Sequence, residues 1–391
     1  MTPRQNDRQN WFEVNPKKSI AFIIIIGFLI IDFSLAAALK IVGLFEPSYV
    51  TSSVREAYYR RAHPIYHHDL AKNISNYTAE WGKQDYQVDT NSLGFKDSSN
   101  LNIPLVTKNH RLLLIGDSFT EGVGIKFEDT FAGLLKQDFK QQNIDVLNAA
   151  VSSYSPIIYY RKIKYLIEEV GLKFDSVVVL IDLSDIEDEA LGYQFDSNEN
   201  VISQGSAANL GAAESKPVTD KTKPSMNAKE FFTQYTYFLG RLRNLSAALK
   251  AKTRPWERAL NKRRASWTIN NTLYNEFGSK GLKTAAKHML KLKEYLQQKN
   301  ILLTIAVYPW PDQIFNNDKD SKQVVFWKNW GDSNKVEFIN LFDVFLPNSS
   351  AENIIREHYI NGDVHWNIAG HNAIYGALKP RIAKAIKNIK Q

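Results

Sequence analysis

A chain of 391 residues is longer than one ordinary domain without clearly being two, and its 44% hydrophobic content can fill a substantial core. There is no cysteine, which excludes disulfides, thiolate metal sites and a cysteine nucleophile. The formal charge of +8 is unevenly placed: Arg241 to Arg264 holds nine Lys/Arg against one acid, Glu257. Such a run suits nucleic acid, anionic lipid, an acidic glycan or simply a solvated helix face.

In chain order the first feature is "KKSIAFIIIIGFLIIDFSLAAALK", Lys17 to Lys40. Its interior is about long enough to cross the ~30 Å hydrocarbon layer. Asp32 interrupts it at a cost of roughly 3 kcal/mol, against about 4–8 kcal/mol returned by the Ile, Phe and Leu residues, so insertion wins. Arg4, Arg8, Lys17 and Lys18 precede the span, while only Lys40 and Arg55 follow closely. That asymmetry predicts an N-terminus inside and the rest outside. The expected layout is a cytoplasmic tail over 1–18, an anchor over 19–39 and an exported body, as for a single-pass protein of the bacterial inner membrane facing the periplasm. Ala36-Ala37-Ala38 also fits a signal-peptidase site. An uncleaved anchor better suits the length of the apolar run, and both readings export the body. Asp32 reads as a contact inside the membrane or, more simply, as a polar residue that a lone anchor tolerates.

Residues 40–105 read as a linker or N-terminal extension, rich in Tyr, His, Asn and Ser with weak periodicity. "IYHHDL" sets His67 and His68 beside Asp69, but adjacent side chains diverge, so a surface loop is expected rather than a metal site. From 106 onward the pattern becomes regular. Arg111 to Ile115 is a buried strand stopped by Gly116. Asp129 to Gln142 has helical spacing, Asp145 to Leu147 is a short strand, and Pro156 to Val170 is a helix stopped by Gly171. Ser176 to Leu183 is the clearest buried strand. About 196–225 reads as a flexible insertion of Ser, Asn, Gly, Lys and Pro. About 228–265 reads as a basic segment with helical spacing over Ala228 to Lys250. Gly281 to Lys299 is a helix, Ile301 to Pro309 a buried strand, Phe338 to Phe342 a short strand, and Ile368 to Ile389 a last amphipathic helix. Strands alternating with helices predict a three-layer α/β sandwich with a mainly parallel central sheet, where ligands sit beyond the carboxyl ends of the strands.

Ser118, in "RLLLIGDSFTEGVG", falls at such an end. Alone it would read as a turn residue or helix N-cap. A serine nucleophile needs a base within reach, a group that orients the base, and donors for an oxyanion. "NGDVHWNIAGH", Asn361 to His371, supplies Asp363 and His365 just before the last helix. There a carboxylate can fix the imidazole tautomer while the other ring nitrogen faces Ser118. His371 reads as structural, against Trp366. "YPWP" at Tyr308 to Pro311 ends a strand; Trp310 there reads either as a sugar-stacking ring or as an exposed turn aromatic.

The opening lacks the second glycine of a G-x-S-x-G elbow, since Thr120 stands in its place. The pairing of "GDSF" (Gly116 to Phe119) with "DVHWNIAGH" instead resembles the SGNH (GDSL) hydrolase superfamily over about 110–391, and specifically the anchored envelope type, similar to polysaccharide O-acyltransferase and esterase domains. The resemblance implies a flavodoxin-like three-layer fold, Ser118 as nucleophile, His365 as general base and acid, and Asp363 as its orienting carboxylate. The Asp–His spacing of two, where the family usually has three, is similar to that of some polysaccharide acyltransferases. In the family's second block "NAAVSSYSP" puts Ser153 where a glycine N–H normally serves the oxyanion. In the third, "IDLSD" puts Ser184 where an asparagine donor stands. Ser118, Ser153 and Ser184 are thus the implied oxyanion donors. Asp182 and Asp185, whose charges would oppose an oxyanion, are expected to orient other groups, and with Trp310 and Trp366 they are candidate pocket residues.

Two functions follow as expectations. One is a serine esterase or O-acyltransferase working on acyl esters of an envelope polysaccharide or glycoconjugate, with a membrane-bound acyl donor protein as its partner in the transferase case. The other is a degenerate domain that only binds glycan, for which an intact Ser–His–Asp set would be superfluous. No P-loop and no HExxH are present, so no cofactor and no metal are expected. Nucleic-acid binding conflicts with an exported body. An aspartyl phosphatase would want Asp-x-Asp where the chain has Asp117-Ser118-Phe119.

Overall fold

The apolar N-terminal run forms one helix, α1 (Pro16–Ile41). Most of its large side chains, Ile20, Ile23, Ile24, Ile30 and Ile31 among them, are exposed. Among the described residues it is the one helix long and apolar enough to cross a membrane. The computed structural model describes residues 11–41, 58–82, 84–204, 237–238, 254–346 and 350–389. Two compact units divide the chain, 1–51 with 217–254 and 52–216 with 255–391. In the first, Asp32 is buried, and its Oδ1 accepts backbone N–H groups of Tyr237 and Phe238 at 2.7 and 2.6 Å. The helix expected over Ala228 to Lys250 otherwise lies outside the described residues.

The second unit opens with a hairpin of β1 (Arg60–His63) and β2 (His67–Leu70). An antiparallel sheet of β3 (Tyr77–Trp81), β4 (Gln84–Thr90) and β5 (Lys96–Asp97) follows. Much of the region expected to be a linker is therefore strand. Tyr59, Tyr66, Leu70, Tyr86 and Phe95 from it are buried in the main core. The predicted surface loop at His67 and His68 is part of β2. A left-handed backbone at His67 (φ 80) turns the two rings together, their Nδ1 atoms 2.8 Å apart, instead of apart as strand alternation would have it.

Five short apolar runs make the central sheet. They are β6 (His110–Ile115), β7 (Ile144–Asn148), β8 (Ser176–Ile181), β11 (Leu302–Val307) and β12 (Glu337–Asn340), all parallel in the order β12-β11-β8-β6-β7. Every residue of β8 is buried, which is why its sequence is an unbroken apolar run and not an alternation. Each buried Val, Leu or Ile there is worth about 1.5–3 kcal/mol. The helix α2 (Ser118–Glu121) and then α3 (Phe131–Phe139) follow β6, α4 (Pro156–Glu168) follows β7, and α5 (Ser279–Gln298) precedes β11. Later come α6 (Lys322–Asn334), α7 (Ala351–His358) and α8 (Ile368–Ile389). The helix α4 packs on α5, and α3 on α8. Because the strand order reverses at β6, right-handed crossovers put α3 and α4 on opposite faces, giving three layers. The reversal leaves a switch point between β6 and β8, at whose carboxyl end ligands of open α/β sheets bind.

Two regions depart from the predicted elements. The start of the insertion is a hairpin, β9 (Tyr193–Phe195) with β10 (Val201–Ser203), and 205–225 lies outside the described residues. The basic run after Arg254 is not a long helix but a 3₁₀ turn (Pro255–Ala259) and loop. There Arg263 pairs with Glu187 and Glu276, and Arg264 with Glu187 and Asp188. Part of the positive run is thus spent on internal acids.

Candidate active site

Gly116 directly follows β6, at a point with no room for a side chain. A Cβ would lie 2.2 Å from Thr120 Oγ1 and 2.9 Å from the Leu180 carbonyl. Asp117 then caps α2 by accepting the Phe119 N–H at 3.0 Å. Ser118 is the first residue of that helix and is 6% exposed, so its hydroxyl sits just below the surface at the switch point.

The partners of Ser118 come from the loop between α7 and α8. Gly362, at φ 78, lets this loop turn back on itself, and the Ile360 N–H donates to the His365 carbonyl at 2.8 Å. Asp363 Oδ1 accepts the His365 backbone N–H at 3.0 Å and pairs with His365 Nδ1 at 2.5 Å. One carboxylate oxygen therefore fixes both the backbone and the ring of the histidine. This is an Asx-type turn, and it explains why the acid stands two positions before the base. With Nδ1–H held by the acid, Nε2 is left to accept, and it lies 2.8 Å from Ser118 Oγ. The Ser118, His365 and Asp363 expected from the sequence form one continuous relay.

The electrostatics suit proton transfer. Burial would lower the His365 pKa, but the Asp363 carboxylate, with help from the Asp117 and Asp182 charges, raises it overall. Burial would raise that of Asp363, but the imidazole, the backbone N–H and the nearby Trp81 indole hold it at about 2. Ser118 Oγ also has Asp117 Oδ2 at 3.1 Å as a competing acceptor. Burial first, and then the Asp182 charge, push Asp117 up to about 7, which weakens that competition near neutral pH.

Asp117, Asp182 and Asp185 are the one group of acids among the described residues close enough to share a cation, all buried. Protein donors already engage most of their oxygens. Tyr308 donates to Asp117 at 3.1 Å, the Ser184 N–H and the Trp310 indole to Asp182 at 2.6 and 2.7 Å, and Tyr159 to Asp185 at 2.8 Å. Burial, with the charges of its two neighbours, holds the Asp185 pKa well above the carboxylate range. This is a buried, hydrogen-bonded floor beneath the nucleophile.

That floor corrects the candidate pocket. Trp310 is 7% exposed with its indole N–H on Asp182, so it offers no face to a sugar. Trp366 is fully buried among Phe119, Tyr308 and Phe345 and is core. Asp182 and Asp185 orient neighbouring groups instead of lining an open space. His371 is structural, stacked on Phe131 and accepting its N–H at 3.3 Å.

Of the expected oxyanion donors, Ser118 opens α2, so its amide has no partner one turn back. Ser153 follows β7 with φ 66, the left-handed conformation for which the glycine of the family pattern is suited. Its loop is well held. The Ser152 N–H donates to Glu121 at 2.7 Å, the Ser152 carbonyl contacts His68 Nε2 at 2.8 Å, and Tyr193 donates to the Ser153 carbonyl at 2.9 Å. Ser184 is buried after β8, its amide turned to Asp182.

Two contributions have no counterpart in the sequence reading. Trp81 at the end of β3 stands against His365, and Arg60 of β1 grips Glu121 of α2 at 2.9 and 3.0 Å. Both come from the presumed linker. The turn between β3 and β4, with Gly82 at φ 64, was the available signal for a hairpin there.

No protein-family model matches the sequence, and no curated protein is significantly similar to it. Solved structures are similar. The psychrotrophic esterase EstA from Pseudoalteromonas is 11% identical with a TM-score of 0.36, over 70% of this chain and 100% of that one. An acetylxylan esterase from Geobacillus stearothermophilus is 12% identical with a TM-score of 0.36, over 70% and 94%. A lipase/acylhydrolase from Enterococcus faecalis is 13% identical with a TM-score of 0.31, over 70% and 95%. The Gly-Asp-Ser turn after β6 in the β12-β11-β8-β6-β7 sheet and the Asp363–His365 pair before the last helix stand where the resemblance read from the sequence would have them.

Proposed function

We propose that this protein is a membrane-anchored serine esterase or O-acyltransferase that works through an acyl-enzyme on Ser118. The observation that carries the reading is the relay Ser118 Oγ–His365 Nε2–His365 Nδ1–Asp363, with contacts of 2.8 and 2.5 Å. Ser118 Oγ attacks the ester carbonyl as His365 Nε2 takes its proton, and Asp363 stabilises the imidazolium. Backbone N–H groups of Ser118 and Ser153 receive the oxyanion, with the Ser184 hydroxyl as the third donor. Collapse expels the alcohol, which takes the proton from His365. Water or a sugar hydroxyl, deprotonated in turn by His365, then releases the acyl group and restores Ser118.

The substrate class we propose is an acylated polysaccharide or glycoconjugate of the cell envelope. What supports it is the α1 anchor, the cation asymmetry that would put the body in the periplasm, and the two-residue Asp–His spacing. In the transferase case a membrane protein would deliver the acyl group. A pure glycan binder would gain nothing from the aligned relay.

The test is hydrolysis of a short-chain aryl ester by the full chain in detergent, beside Ser118→Ala. Turnover that survives in the mutant would overturn the mechanism. If the wild type neither turns over nor is labelled at Ser118 by a fluorophosphonate, the domain is no serine enzyme. Labelling without turnover points to a transferase awaiting its donor.

A further inference from the structure

Ser153 is held in its conformation from outside its own turn. Val151 to Tyr154 is a turn closed by the Tyr154 N–H on the Val151 carbonyl at 3.2 Å. Ser153, the third residue, has φ 66, and Ser152 before it is not left-handed. That is the pattern of a type II turn, which favours glycine at the third place. A serine there is drawn toward type I, in which the third residue returns to negative φ and the central peptide turns over by about half a revolution. A trans peptide points its C=O and its N–H in opposite directions. Turning it over would swing the Ser153 N–H away from the side on which it serves an oxyanion.

The other end of that peptide is gripped. The Ser152 carbonyl lies 2.8 Å from His68 Nε2. A carbonyl only accepts, so His68 carries a proton on Nε2. Burial, and then the charge of His67, pull the His68 pKa down to about 3, so the ring is neutral and its Nδ1 is an acceptor. His67 Nδ1, 2.8 Å away, therefore donates to it. In a neutral His67 this leaves Nε2 to accept from the Ser203 hydroxyl at 2.9 Å. Each proton position follows from the one before, from the Ser152 carbonyl back to Ser203.

The backbone is bent to bring these rings together. His67 has φ 80, and such strain persists only where the surroundings enforce it. Its ring stands edge-on to Tyr193, whose hydroxyl donates to the Ser153 carbonyl, and the His68 ring stands edge-on to Tyr154. The two hairpins β1–β2 and β9–β10 thus converge on a single turn of the central sheet.

We propose that His68 is a positioning residue for the oxyanion site. Its Nε2–H holds the Ser152 carbonyl, keeps the 151–154 turn in its type II form, and so fixes the direction of the Ser153 N–H. His67, backed by Ser203, sets the tautomer of His68. The clamp stands in for the glycine that would hold this turn unaided. The proposal rests on the acyl-enzyme at Ser118.

The test uses the full chain in detergent, with aryl-ester kinetics and the rate of Ser118 labelling by a fluorophosphonate. Rates are counted per serine labelled at saturation, which removes any unfolded fraction. His68→Phe keeps a ring and loses the donor. It should slow kcat and labelling about a hundredfold, the scale of one lost oxyanion donor, with KM within about threefold. His68→Gln, whose amide N–H can reach the same carbonyl, should recover most of the rate. Ser153→Gly added to His68→Phe should regain about tenfold, because glycine adopts positive φ without strain. In the wild type, imidazole ¹⁵N–¹H spectra should find His68 neutral and protonated at Nε2. A proton on Nδ1 instead, His68→Phe as fast as wild type, or no recovery from either Gln or Gly would overturn the clamp while Ser118-dependent turnover or labelling stands. A wild type that neither turns over nor labels would overturn the Ser118 reading itself, and the clamp's catalytic role with it.

Discussion

The indole of Trp81 stands edge-on to the imidazole of His365, with ring centroids 5.0 Å apart and planes at 89°. Phe119 covers another side of the same imidazole at 4.6 Å. A general base must hold its lone pair on the nucleophile through the whole reaction, and a displacement near 1 Å can cost about a hundredfold. Trp81→Ala opens one wall of this clamp, so kcat on an aryl ester should fall about tenfold with KM little changed, a loss confined to the transition state. Trp81→Phe restores an aromatic wall and should recover most of the rate. Equal rates in all three proteins would show that the contact does not position the base.

The relay itself predicts a pH profile. His365 works as a base only when neutral, and its pKa is raised against the pull of burial by Asp363, with Asp117 and Asp182 adding to the effect. Activity should therefore fall as the pH drops through a midpoint above the imidazole's ordinary 6.5. Asp363→Asn removes the strongest raising influence and the tautomer lock together. Its kcat should drop by about 10⁴, the scale seen when the acid of such a triad becomes an amide, with the residual acid limb moved to lower pH. Fluorophosphonate labelling of Ser118 should follow the same limb. An unchanged midpoint in Asp363→Asn would mean that another group sets it.

Ser153 adopts φ 66, a conformation that costs a non-glycine residue of order 1–3 kcal/mol. Its proposed role belongs to the backbone N–H, which every residue but proline has. Ser153→Gly should therefore raise thermal stability by about 1 kcal/mol and leave kcat within about threefold. Ser153→Ala, which keeps the strain, should gain no stability. A large loss of kcat in Ser153→Gly would transfer the role to the hydroxyl.

The parallel sheet and the triad were legible because local chemistry dictates them. Val177 to Ile181 is an unbroken apolar run that reads as a buried strand, and Ser118 at a strand end reads as a nucleophile once Asp363 and His365 supply the acid–histidine pair that a serine nucleophile needs. The supporting shell was not legible, because its members are chosen by contacts across the fold. Trp310 reads as a sugar-stacking ring or an exposed turn aromatic until Asp182, 128 positions earlier in the chain, is found to hold its N–H. Arg60 and Trp81 sit in a stretch of weak periodicity because short strands against a mixed surface need not alternate. At His67, the single left-handed residue in "IYHHDL" defeats the rule that adjacent side chains diverge.

Arg60 and Glu121 make the strongest test of whether the N-terminal strands belong to the site. The guanidinium meets both carboxylate oxygens, with side chains 11% and 1% exposed. The same carboxylate accepts the Ser152 N–H at 2.7 Å, next to the proposed oxyanion donor. Glu121 belongs to the helix that Ser118 opens, so one ion pair ties β1, the nucleophile turn and the Ser152–Ser153 loop together. Removing one partner of a buried pair costs about 3–5 kcal/mol, because the other charge is left without compensation. Arg60→Ala should lower stability on that scale and lower kcat as well, since the Ser153 amide loses its fixed place. Replacing both residues at once, Arg60→Met with Glu121→Gln, removes the stranded charge while the glutamine oxygen still accepts the Ser152 N–H. That double variant should recover most of the stability and much of kcat. Thermal melts and aryl-ester kinetics on the three proteins would decide it, and a double variant as unstable as Arg60→Ala would show that the geometry of the pair, not its charge balance, holds the site.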